Sequence, residues 1–185
     1  MALGSLLSYS LHSSNLKTAK IDTLEVKNLI VDIAKSYENT KEIGKNRGEF
    51  IDKLNRFTKV SLGSPYCASF VSYVIDSAGK KIPLKNKVKS ALAMKLRNKN
   101  TYSAKEVLNG KRYPQAGEVI VWQKGKSIFG HAGIVTKDWI KNNGQTIQAN
   151  TNKSTESRDG NGIYVKNANI QPFNYFRIVA FTPIN

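Results

Sequence analysis

The apolar residues of this 185-residue chain change period near Pro114, and that change limits the folds open to it. Before Pro114 they recur at helical spacing. After it they fall in short runs bounded by turn residues. Leu24 to Tyr37 places Leu24, Leu29, Ile30, Ile33 and Ala34 on one face, with Lys27, Asp32 and Lys35 largely opposite, which predicts a helix. Further helices are predicted over about Glu49 to Phe57, from Cys67 to Ala78 with Gly79 as its C-terminal stop, and from Val88 to Leu96. Glu42 to Gly48, with glycines at 44 and 48, reads as a turn. Past Pro114, Ala116 to Trp122, Gly130 to Thr136, Thr146 to Asn150, Gly162 to Lys166 and Tyr175 to Phe181 read as roughly five strands, with Asn142-Asn143-Gly144 as a hairpin turn. Helices first and strands second, without alternation, predict an α+β fold with an antiparallel sheet.

The length suits one domain with a real core, assigned to residues 24–185. Residues 1–23 are assigned as a flexible leader or trimmed signal. Their apolar stretch lacks a basic n-region and is broken by serines, so it makes no convincing signal peptide. No run of about 20 apolar residues is present, so no membrane span is expected.

Chemistry centres on the single cysteine, Cys67, which follows Ser64-Pro65-Tyr66 and heads a predicted helix. A thiol there is offered free backbone N–H groups and the positive end of the helix dipole. The competing reading is structural: positions 67, 70, 71, 74, 75 and 78 form one apolar stripe, and unpaired cysteines are often buried. One of only two histidines, His131, lies in a predicted strand, where Gly130 and Gly133 are expected to leave room for a substrate backbone. His131 as a hydrogen-bonded core residue is the alternative. A histidine acting as base needs its tautomer fixed by a third group. Thr146, Gln148 and Asn150 alternate along the next strand and so are expected on one face. Either amide could accept from the imidazole Nδ1–H, although polar residues on one strand face are commonly just solvated.

Other chemistries find less support. Two histidines and one cysteine do not make a zinc set, there is no Gly-rich phosphate loop, and no cofactor is expected. The formal charge of +16, from 29 basic against 13 acidic side chains, favours polyanionic partners. The densest run extends from Lys80 to Lys99; a solvated face accounts for it equally well.

Taken in order, several segments resemble the CHAP and NlpC/P60-type superfamily of papain-like peptidoglycan hydrolases, especially its small phage-type members. They are Glu42-Ile43-Gly44-Lys45-Asn46-Arg47-Gly48, Pro65-Tyr66-Cys67-Ala68-Ser69-Phe70-Val71-Ser72, Ala116-Gly117-Glu118-Val119-Ile120-Val121-Trp122, Gly130-His131-Ala132-Gly133-Ile134-Val135, Thr146-Ile147-Gln148-Ala149-Asn150-Thr151 and Arg158-Asp159-Gly160-Asn161-Gly162-Ile163-Tyr164. The resemblance implies a papain-like fold, Cys67 as nucleophile, His131 as general base, and a third polar residue on the following strand. Many members read Glu-Gly-Asn there, whereas this chain reads Gln148-Ala149-Asn150, so Gln148 is assigned by position with Asn150 in reserve. The Cys67 N–H and a donor from Tyr66 or the Asn46 turn are assigned to the oxyanion.

The implied activity is N-acetylmuramoyl-L-alanine amidase or cell-wall endopeptidase, at the bacterial wall or periplasm. Peptidoglycan is the expected substrate and anionic wall polymers are further partners. An immunity protein would be a partner if the chain is an injected toxin; nucleic acid is not expected. Two alternatives stand beside this reading: a papain-like toxin of deamidase or transglutaminase type, and a non-catalytic basic module that binds nucleic acid.

Overall fold

Helices precede strands in the computed structural model, which describes residues 23–153, 160–171 and 176–185. The assigned leader up to residue 22, Arg158 and Asp159 of the family-like segment, and Tyr175 of the last predicted strand lie outside the described residues. Helix α1 spans Thr23–Lys35, α2 Glu49–Phe57 and α3 Cys67–Lys81. Strand β1 is Tyr102–Ser103, followed by the short helix α4 at Ala104–Leu108. Strands β2 Val119–Lys124, β3 Gly130–Val135, β4 Asn143–Thr151, β5 Gly162–Asn169 and β6 Phe176–Thr182 complete a six-stranded sheet in the order β1-β6-β2-β3-β4-β5. Every neighbouring pair is antiparallel, so the fold is α+β as the period change predicts. Among the described residues no helix is long and apolar enough to cross a membrane.

Both sheet faces are covered, which explains why the strands read as continuous apolar runs and not as clean alternations. Helix α3 lays Phe70, Val71, Val74, Ile75 and Ala78 against Val121, Ala132, Ile134, Ile147 and Ala149. The opposite face buries Ile120, Trp122, Val135, Ile178 and Phe181 with Tyr102 and Trp139. The core stripe of α1 is Val26, Ile30, Val31 and Ala34, while Leu24, expected inside, is 60% exposed.

Four local expectations fail, each for a readable reason. Gly79 does not stop α3, which runs on to Lys81; Lys87 and Leu84 lie against the bare Cα of Gly79. Val88 to Leu96 is irregular apart from one 3-10 turn at Ala93–Lys95. There the Ser72 hydroxyl takes both backbone groups of Ser90, and the Ser90 hydroxyl accepts the Leu92 N–H, so side chains displace helical hydrogen bonds. The segment still delivers Val88, Ala93 and Leu96 to the core.

The first predicted strand begins at Val119 because Gly117, at φ 81°, turns the chain before it. Asn143 and Gly144 belong to β4, and the turn lies just upstream around Lys141, at φ 56°. Gly144 serves a different purpose, since any Cβ there would overlap the Trp139 ring. The sequence reading also missed β1 and α4. Their signal was a capping box, in which Ser103 and Glu106 satisfy each other's backbone N–H.

Candidate active site

Cys67 is the first residue of α3, unpaired and only 7% exposed. Residue 66 caps the helix without a side-chain hydrogen bond, so the first N–H groups of α3 remain available to the sulfur. The backbone N–H groups of Cys67 and Ala68 face it from the helix, and that of Ala132 faces it from β3. Strand pairing explains the third donor. The β3–β4 ladder runs from Val135↔Thr146 to Gly133↔Gln148, and β4 then bulges between Ala149 and Thr151, with Asn150 at φ 57°. The strands part beyond that pair, and the Ala132 N–H turns to the thiol. Burial nevertheless dominates and raises the Cys67 pKa, the three N–H groups opposing it.

His131 precedes Ala132 on β3. Its Nε2 lies 3.0 Å from Gln148 Oε1. The Gln148 amide nitrogen donates to Thr146 Oγ1 at 2.9 Å, which turns the amide oxygen toward the ring. The imidazole therefore donates from Nε2, not from the expected Nδ1, and Nδ1 keeps its lone pair. Trp122 and Phe176 flank the ring at centroid distances of 5.3 and 6.2 Å. These two and Gln148 also line a cavity of about 840 Å³.

Burial pushes the His131 pKa down to about 4; the Gln148 hydrogen bond opposes this and the Lys166 charge adds to it. Burial thus favours the neutral form of both the Cys67 thiol and the His131 imidazole. A histidine held neutral by the fold takes up its proton more readily when unfolded. Stability from His131 is therefore present above pH 6.5, the ordinary histidine value, and is lost as the pH falls from there through about 4. Denaturant titrations across that window are expected to show the loss, and His131→Phe is expected to flatten it.

Gly130 and Gly133 do not leave space for substrate. A Cβ on Gly130 would sit 2.0 Å from the Trp122 carbonyl oxygen. One on Gly133 would sit 2.7 Å from the Ile147 carbonyl oxygen and 3.1 Å from Gln148 Cγ. The missing side chain at Gly133 is what lets Gln148 cross the strand to reach His131. Gly133→Ala is expected to cost roughly 1–3 kcal/mol, read by denaturant unfolding, and to depress activity through Gln148.

The remaining assigned residues brace the helix start. Tyr66 is completely buried; its hydroxyl donates to Glu42 Oε2 at 3.3 Å and receives the Asn150 backbone N–H. Asn46, at φ 51°, donates from Nδ2 to the Gly63 carbonyl at 3.1 Å. Asn55, which the sequence reading missed, is fully buried and donates to the Ser64 carbonyl at 3.2 Å. Two amides thus hold successive carbonyls of the turn leading into Cys67. The signal for Asn55 was a polar residue on the buried face of α2, beside Ile51 and Leu54. Thr146 and Gln148 share a face as expected, but the bulge at Asn150 ends the alternation there.

A family model described as CHAP domain matches residues 59–152, from the turn before Cys67 through His131 to just beyond Asn150. No curated protein matches the chain.

Proposed function

The chain belongs to the CHAP domain family of peptidoglycan amidase and peptidase hydrolases, and from that premise we propose that it cleaves amide bonds of the bacterial wall through a Cys67 thioester. The observation that carries this reading is the meeting of a thiol, ringed by three backbone N–H groups, with the strand that holds the His131–Gln148 pair. In the proposed cycle, the Cys67 proton passes to His131 Nδ1 as sulfur attacks the amide carbonyl. Negative charge develops on the carbonyl oxygen, and in this cycle N–H groups at the α3 terminus stabilise it. The imidazolium then protonates the leaving nitrogen and the C–N bond breaks. Water, deprotonated by His131, hydrolyses the thioester and restores the thiol.

Gln148 aligns the imidazole but, being neutral, stabilises its cationic form less than a carboxylate would. The neutral resting pair fits this: proton transfer accompanies attack and does not precede it. The +16 charge suits a polymer carrying phosphate and carboxylate, which supports a site of action at the wall. Mass spectrometry of fragments released from purified peptidoglycan tests the proposal and names the bond. New amine termini whose masses fix an amide cut at the sugar–peptide junction or within the peptides support it. Unchanged peptidoglycan, or cleavage of glycosidic bonds alone, overturns it.

A further inference from the structure

We infer that Thr146 is a positioning residue that selects the tautomer of His131, and that it is needed because residue 148 is an amide. The inference rests on the reading of Cys67 and His131 as the reacting pair. A carboxylate at position 148 would present an acceptor to the imidazole whichever way it turned. An amide has a wrong way round. With its oxygen toward the ring, Nε2 carries the proton and Nδ1 keeps the lone pair that the proposed cycle uses. With its nitrogen toward the ring, Nε2 must accept, Nδ1 carries the proton, and the proposed base is blocked.

Thr146 removes that ambiguity. It is fully buried, two residues before Gln148 on the same face of β4. Its hydroxyl donates to the Lys166 carbonyl at 3.4 Å, across the Thr146↔Lys166 pair of β4 and β5. With the proton so directed, Oγ1 turns a lone pair to residue 148, and the Gln148 nitrogen donates to it at 2.9 Å. The amide oxygen is left for His131 Nε2 at 3.0 Å. The chain of orientation runs from a backbone carbonyl on β5, through Thr146 and Gln148, to the imidazole. Its members are held by the sheet, so the tautomer is set before substrate arrives. One buried hydrogen bond of this kind biases two orientations by about tenfold, and a wrong tautomer in an imidazole-based triad costs up to about 10⁴ in kcat.

Thr146→Val keeps the shape and removes the acceptor. In protein with ¹⁵N-labelled histidine, the wild type is expected to show protonated Nε2 and unprotonated Nδ1 near neutral pH. Thr146→Val is expected to show a mixture or the reverse, with kcat down about tenfold or more and KM little changed. Thr146→Ser is expected to keep both the tautomer and the rate. In a Gln148→Glu background the same Val substitution is expected to change kcat by less than about twofold. Should valine not be tolerated, Thr146→Ala is expected to lose the tautomer that Thr146→Ser keeps. A Val or Ala variant with the wild-type nitrogen pattern overturns the inference, as does an equal rate loss in the Glu background. The nitrogen spectrum needs no substrate, so failure of the wall-hydrolase reading would leave this outcome legible.

Discussion

Cys67→Ala is expected to fold and to lose wall-amide cleavage by about 10⁴-fold or more, the scale seen when a covalent nucleophile is removed. The fold should survive because residue 67 begins an apolar stripe that continues through Phe70, Val71 and Val74, and Ala needs no new space. The loss of one buried sulfur costs about 1 kcal/mol. A merely structural cysteine would show the opposite pattern, a modest stability cost with activity intact. The state of the thiol offers a second check. Because burial holds Cys67 above its ordinary pKa, alkylation by iodoacetamide is expected to be slow near pH 7 and to accelerate past pH 9. Rapid modification at pH 6 would mean a resting thiolate and would contradict the neutral pair.

Gln148→Glu is the second large effect. In the wild type the imidazole gains a proton only near pH 4, so the acid limb of the rate profile is expected there. A carboxylate 3.0 Å from Nε2 favours the imidazolium and raises its pKa by about 1–3 units. The acid limb should move up by that amount, and kcat near neutral pH should rise about tenfold or more as proton transfer from the thiol becomes easier. An acid limb that stays near pH 4 in the Glu variant would detach Gln148 from the catalytic base.

Period and punctuation made much of this fold legible. The stripe from Phe70 to Ala78 gave α3, and the apolar runs after Pro114 gave five of the six strands. What escaped was set by tertiary partners: Ser72 unwinds the predicted helix at Ser90, and Trp139 claims the space above Gly144. The short β1 and α4 carried too few residues to show a period, and only their capping box announced them.

At the site, residue types and spacing placed Cys67 at a helix start and Gln148 within reach of His131. Which imidazole nitrogen faces the amide was not legible, because it depends on rotamers and on the lone pair at Thr146. The packing role of Gly130 and Gly133 depends on cross-strand register, which single-strand patterns do not encode.

The central claim is that sulfur of Cys67 becomes covalently bound to a wall fragment during turnover. Enzyme mixed with peptidoglycan, quenched in acid and digested, is expected to yield the Cys67 peptide carrying an added acyl mass that hydroxylamine removes. Turnover without any adduct on that peptide, continuing undiminished in Cys67→Ala, would contradict the account.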